Sequence, residues 1–260
     1  MKEVIRMWGN TKMCALTALT AAVYAAVLIP FKPIPIIPGF TEFRPANVLP
    51  IVCSLLFGPA AAWGAAFGNI IGDLFGTLGP GSLFGFVGNF LYGLLPYKLW
   101  RALGRGDASP RSGRGFALLA LICWTASAVC SVTIGWGVDI LGFVPFATLG
   151  NIIWTNNFLV SIVLGPVLLR LLHGRAEKWG LLYTHIMEET SERPETWVVG
   201  LVLLLVGAVG GLVLGNAISL GVYKTLPFAA GFGKGVTGGL GIGLGLTPFI
   251  ALILIGTVLL

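Results

Sequence analysis

"GAAFGNIIGDLFGTLGPGSLFGFVGNFLYGLLPYKLWR", residues 64–101, is apolar enough to lie in hydrocarbon, yet it carries Asn69, Asp73 and Asn89 inside its oily runs. An unpaired polar group in lipid costs several kcal/mol, so these side chains must face the interior of a bundle and find partners or water there. The stretch thus implies both a chain that crosses a membrane more than once and a polar interior.

The rest of the chain agrees. Of its 260 residues 56% are hydrophobic and only 10% charged, a balance that excludes a soluble domain of this size. A helix needs roughly 20 apolar residues to cross a hydrocarbon layer of ~30 Å, with its backbone groups satisfied within itself. Apolar runs at 13–31, 45–57, 59–77, 81–100, 116–137, 148–172, 196–222 and 238–260 predict eight spans. The second is short, and the turn "FGPAA" divides it from the third, because Gly58 and Pro59 punctuate the chain. The 38 glycines fit helices that approach closely in lipid. The predicted fold is all-α, a polytopic transmembrane helix bundle. Residues 1–180 form a six-span substrate-binding membrane domain, and residues 181–260 form a linker and a C-terminal transmembrane hairpin.

The linker contains a small acidic patch, Glu188, Glu189 and Glu192, which reads as solvated chain. The glycines of "GFGKGVTGGLGIGLGLTP", residues 231–248, superficially resemble a phosphate-binding loop, but no strand precedes them and no G-K-[ST] occurs; close packing explains them better.

The formal net charge of +6 sits in short segments between apolar runs rather than on one face, so no nucleic acid partner is expected. Topology explains it instead. A cytoplasmic N-terminus places Lys2, Arg6, Lys12, Lys98, Arg101, Arg105, Arg111, Arg114, Arg170, Arg175, Lys178 and Arg193 inside and only Lys32, Arg44, Lys224 and Lys234 outside. The expectation is a multi-pass protein of the cell membrane with both termini cytoplasmic. The basic, apolar N-terminus lacks a small-residue cleavage site and reads as a retained first helix.

Cys14, Cys53, Cys123 and Cys130 form no C-x-x-C pair and no metal-like spacing with histidine, so they read as buried apolar side chains. His173 and His185 belong to no catalytic set, and no nucleotide-hydrolysis motif occurs. No enzyme activity, metal or cofactor is expected.

With that topology, Asn69 and Asp73 end the third span, Asn89 begins the fourth, and "GNIIWTNNF" brings Asn151, Trp154, Thr155, Asn156 and Asn157 to the start of the sixth, all in the outer half of the membrane. The loop "FKPIPIIPGFTEFRPAN" adds Glu42, Arg44 and Asn47 at the same depth, and Pro30, Pro33, Pro35 and Pro38 make it stiff enough to serve as a lid. Each asparagine alone also reads as interhelical glue; the set reads as a pocket. Amides with an indole suit a small heteroaromatic or amide-bearing solute. For Asp73 three readings stand: an ion pair with Arg44, a proton or sodium carrier, or a helix-end acid near the interface. Span 1 carries Ala18, Ala22 and Ala26 on one face, a ridge that docks either inside the bundle or against a partner protein.

Several motifs, in this order, carry a resemblance. "TEFRPANVLPIVCSLLFGPAAAWGAAFGNIIGDLF", "GSLFGFVGNFLYGLLPYKLWR" and "NIIWTNNFLVSIVLGPVLLRLL" resemble the membrane-embedded substrate-binding (S) components of energy-coupling factor transporters, the vitamin-type ABC importers of bacteria and archaea, over about residues 12–175. The resemblance implies tight binding of a micronutrient in an outward-facing pocket built by spans 4 to 6 and the loop between spans 1 and 2. It also implies association with a transmembrane coupling protein and two ATPase subunits, with Ala18 and Ala22 matching the family's coupling contact. The family usually ends after six spans, whereas this chain continues through two more. The "EFR" opening resembles members assigned to queuosine precursors. Two rival classes are a stand-alone ion-coupled carrier and a structural membrane subunit that binds no solute.

Overall fold

The structure, a computed structural model, describes residues 1–104, 108, 110, 112–187, 195–222, 238 and 240–260. A short α1 (Lys2–Arg6) precedes α2 (Thr11–Leu28), which begins where the Asn10 side chain accepts the backbone N–H groups of Lys12 and Met13. There follow α3 (Val48–Phe57), α4 (Pro59–Asp73), α5 (Gly81–Leu103), α6 (Gly113–Ile140), α7 (Phe146–Lys178), α8 (Tyr183–Ile186), α9 (Trp197–Ser219) and α10 (Leu240–Leu259). All eight apolar runs of the sequence are therefore helical.

Among the described residues, five helices are long and apolar enough to cross a membrane: those at Thr11–Phe31, Gly113–Ile140, Phe146–Ile186, Trp197–Ser219 and Gly241–Leu259. The other three runs differ from the expectation of eight comparable spans for physical reasons. At 10 and 15 residues, α3 and α4 are about 15 and 22 Å long, each too short alone. The 23 residues of α5 are enough, but its glycines, Asn89 and Lys98 reduce its hydropathy. It is tolerated because α3, α4 and α6 surround it, so most of it never meets lipid.

The break between α3 and α4 lies at Gly58, whose φ of 60° and ψ of −131° are open to glycine and disfavoured for other residues. A β-carbon there would also stand 2.8 Å from Tyr183 Cγ. Pro59 then starts α4, where its missing N–H costs nothing.

Helices α2 and α4 lie together through a glycine ridge on α4, Gly64, Gly68 and Gly72, one residue in four. A β-carbon on Gly68 would meet the Ala21 carbonyl oxygen and Tyr24 Cδ1, each at 2.9 Å, and one on Gly72 would meet Leu28. The face of α2 that fills this groove is Thr17, Thr20, Ala21, Tyr24 and Leu28, all buried. Ala18, Ala22 and Ala26 point the other way and are exposed. Of the two places open to the alanine ridge, the interior is taken by other residues of the same helix.

The C-terminal hairpin is packed onto α6 and α7. Its two helices touch through Gly200, Gly207 and Gly256, and Gly211 and Gly215 of α9 abut Val132 and Phe146. Asn151 and Asn216 exchange side-chain hydrogen bonds at 2.6 and 3.1 Å, and Ser219 Oγ accepts the Ala147 N–H at 3.0 Å. At the other end Lys98 Nζ donates to the Thr257 carbonyl at 2.9 Å while pairing with Glu3 at 3.2 Å.

The ends of the bundle differ in charge. Lys2, Arg6, Lys12, Lys98, Arg101, Arg114, Arg170, Arg175 and Lys178 belong to the end that holds α1, and Lys32 and Arg44 belong to the opposite end. Arg105, Arg111, Arg193, Lys224 and Lys234, the acidic patch at Glu188, Glu189 and Glu192, and residues 231–237 and 239 of the glycine connector lie outside the described residues.

Candidate solute-binding site

At the end opposite α1 the chain encloses a cavity of about 270 Å³. Four helices line it, three of them with polar groups, because their ends meet there. Asn69 and Asp73 come from the last turns of α4, Asn89 from the third turn of α5, Cys130, Ile134 and Val138 from the second half of α6, and Asn156 and Asn157 from the first half of α7. The loop between α2 and α3 adds Thr41, Arg44 and Asn47. That loop is no simple extended strap: Pro35–Ile37 pairs antiparallel with Thr41–Glu42, and a single turn, Pro45–Asn47, leads into α3. Its tip is seated by apolar contact, with Ile37 and Phe40 packed against Val138, Val144 and Leu149, and Phe40 5.7 Å from Phe143 between ring centroids.

The amides form one connected set. Tyr24 Oη, buried on α2, donates to Asn47 Oδ1 at 2.7 Å and stands 3.1 Å from Asn89 Oδ1. Asn47 Nδ2 donates to Asn157 Oδ1. Asn89 Nδ2 donates to the Gly85 carbonyl at 2.9 Å, and Tyr92 Oη donates to the Asn47 carbonyl at 3.0 Å. Asn156 brackets the Arg44 backbone, accepting its N–H and donating to its carbonyl, both at 3.4 Å. Gly85 leaves the room: a β-carbon there would lie 2.9 Å from Asn69 Nδ2.

The charged groups form a second set. Arg44 Nη1 donates to Asn69 Oδ1 at 3.0 Å, and Asn69 Nδ2 donates to Asp73 Oδ2 at 3.1 Å. Glu42 Oε1 lies 3.0 Å from both Arg44 Nε and Lys32 Nζ, and both are charge contacts without hydrogen-bond alignment. Lys32 Nζ also reaches Asp73 Oδ1 at 3.4 Å, and Arg44 Nη2 is 4.0 Å from the same atom. Burial alone would lower the Arg44 pKa, but Glu42, Tyr24 and Asp73 raise it above its ordinary value, so the guanidinium stays charged.

Of the residues expected to bind solute, Arg44, Asn47, Asp73, Asn89, Asn156 and Asn157 line this cavity, and Asn69 joins them. Three sit elsewhere. Glu42, 2% exposed, stands behind Arg44 as its counter-ion. Asn151 turns to Asn216 of the hairpin. Trp154 packs between Trp124 and Phe158. The ion pair between Asp73 and Arg44, one of the three readings open for Asp73, is present but long, and the closer cation is Lys32.

The sequence gives Lys32 no role beyond its charge, and none to Tyr24, Gly85 or Thr77, a lining residue whose hydroxyl donates to Asp73 Oδ1 at 2.9 Å. Lys32 carried no signal, because its partners are 10 and 41 residues away and meet it only through the folded loop. Tyr24 carried one: a tyrosine on the face of span 1 opposite the alanine ridge.

No curated protein and no solved structure gives a significant match to the chain. The family model described as QueT transporter matches residues 14–174, more than half of the chain. Those residues run from the first turn of α2 almost to the end of α7 and so contain every segment that lines the cavity. The family is one of transporters and not of enzymes. With five helices among the described residues long and apolar enough to cross a membrane, the chain is a multi-pass membrane protein that belongs to the QueT transporter family.

Proposed function

We propose that this chain is the substrate-binding (S) component of an energy-coupling factor importer, capturing a small micronutrient at the outer face and delivering it inward when joined to a transmembrane coupling protein and two ATPase subunits. The observation that carries this reading is one polar cavity to which the loop and three helices contribute Arg44, Asn47, Asp73, Asn89, Asn156 and Asn157. Five amides beside Phe40 and Phe143 suit a planar nitrogen heteroaromatic: amides both donate and accept, and the rings offer faces for stacking. The match to the QueT family and the "EFR" opening favour a queuosine precursor as the solute class.

The orientation follows from charge. Nine of the eleven described basic residues gather at the end opposite the cavity, which the positive-inside rule assigns to the cytoplasm, so the cavity faces outward and both termini lie inside. The exposed alanines of α2 supply the coupling surface. Ala18 and Ala22 stand on a face that, among the described residues, no other helix covers, and there a partner helix can approach at backbone distance.

Reconstitution tests the reading. Vesicles holding this chain, the coupling protein and both ATPases should accumulate the solute only when ATP is enclosed, and this chain alone should bind without transport. Uptake by the chain alone under an ion gradient would identify a stand-alone carrier instead.

A further inference from the structure

The first two turns of α7 lie between the cavity and the C-terminal hairpin. Leu149, Ile153 and Asn157 line the cavity as one stripe at every fourth position. Ala147 and Asn151 form a second stripe. Each stands two residues before a member of the first, about 200° round the helix, and so faces away from the cavity. Both meet the last turn of α9: Asn151 and Asn216 exchange side-chain hydrogen bonds at 2.6 and 3.1 Å, and Ser219 Oγ accepts the Ala147 N–H at 3.0 Å. The turn that leads into α7 is held in the same way. Asp139 Oδ2 accepts the Phe146 N–H at 2.6 Å, and the Asp139 carbonyl accepts the N–H of Gly238, just before α10, at 2.7 Å. That turn carries Phe143, which lines the cavity and meets Phe40 of the loop.

Lipid tails are as apolar as the helices, so directional hydrogen bonds and close packing, rather than a hydrophobic drive, fix how one helix sits on another. Gly215 adds the packing: a β-carbon there would stand 2.5 Å from Phe146 Cε1. An amide recognises a solute only when the residues behind it hold it to within about 0.5 Å. The hairpin helices lie wholly outside residues 14–174 and contribute no lining residue among the described residues, yet they stand where that support is needed.

We propose that Asn216 and Ser219 are positioning residues for the solute site: by fixing the start of α7 from behind, the C-terminal hairpin sets how tightly the cavity holds its solute. The proposal rests on the cavity being the solute site and gives the hairpin a part in it. Release should respond more than capture, because a loosened wall weakens contacts already made with the solute and leaves the approach to the cavity unchanged.

The test is binding of a deazaguanine-type queuosine precursor to the purified full chain, with affinity from calorimetry, release from displacement kinetics and stability from melting curves. Asn216→Ala should weaken binding about tenfold, with faster release and an association rate within about twofold of wild type. Ile153→Ala alters the wall that Asn216 supports, so the combined loss in the double variant should fall well short of the product of the two single losses. Asp73→Asn, on α4, should instead give losses that multiply with those of Asn216→Ala. Ser219→Ala removes only the acceptor of the Ala147 N–H and should weaken binding about threefold. It is read in place of Asn216→Ala if that variant does not fold. Variants at Asn216 and Ser219 that melt lower but bind as wild type, while Asn157→Ala still weakens binding, overturn the proposal and leave the cavity assignment standing. Losses that multiply between Asn216→Ala and Ile153→Ala do the same. A wild type that does not bind the precursor overturns the cavity assignment and the proposal together.

Discussion

The Tyr24 hydroxyl stands 2.7 Å from Oδ1 of Asn47, which joins the middle of α2 to the start of α3 at the edge of the cavity. Because the same hydroxyl lies 3.1 Å from Asn89, one phenol organises two lining amides. Tyr24→Phe keeps the ring that fills the groove against Gly68 and removes only the donor. Solute affinity should fall about tenfold, and thermal unfolding should show a loss of about 1–2 kcal/mol, the cost of leaving buried acceptors unpaired. Isothermal titration and a melting curve on the same preparation read both.

Neighbours on one helix should separate. Asn157→Ala removes a lining amide that also accepts from Asn47, and should weaken solute binding by more than about tenfold. Trp154→Ala, a residue outside the lining, should cost stability through lost packing with Trp124 and Phe158 while leaving affinity within about threefold. Equal losses of affinity in both variants would mean that α7 is turned differently from the arrangement described.

Close packing of α2 on α4 depends on the absence of side chains. Gly68→Val would push a β-carbon into the Ala21 carbonyl and the Tyr24 ring, each at 2.9 Å, and should destabilise the protein by about 1–3 kcal/mol. The exposed alanines predict the contrary pattern. Ala18→Leu with Ala22→Leu should leave both melting and solute binding unchanged and abolish co-purification with the coupling protein.

At the opposite end, acid should loosen the contact between α1 and α5. Burial alone would raise the Glu3 carboxyl, but the Lys98 ammonium 3.2 Å away and the Tyr97 hydroxyl at 2.8 Å help hold it well below the usual carboxylate range. A depressed folded-state pKa gives stability that is present above the free value of 4.5 and is lost as pH falls below it. Melting temperature should therefore decline below pH 4.5 more steeply in wild type than in Glu3→Gln. Equal slopes would show that the pair contributes nothing measurable.

Run length and punctuation made the helices legible before any coordinates. Every apolar run became a helix, and Gly58 with Pro59 broke the chain where the turn was expected. The gathering of polar groups was legible for the same reason, because amides placed near the ends of several helices that turn at one level must meet. Rotation was not legible. At about 100° per residue, Asn151 lies about 170° and Trp154 about 110° round α7 from the direction shared by Asn156 and Asn157, so depth agreed while facing did not. Spacing likewise showed small residues every fourth position in both α2 and α4, but only packing shows that the glycines dock inside and the alanines remain exposed. Lys32 was hidden for a third reason: its pairing exists only once the loop has folded back on itself.

The account rests on the cavity as the place where solute is held, and native mass spectrometry of protein purified from cells supplied with a queuosine precursor reads that directly. Wild type should carry one bound small molecule, and Asn89→Ala combined with Asn157→Ala should emerge folded and empty. A wild type without bound solute, or a double variant that retains the same mass addition, would contradict the account.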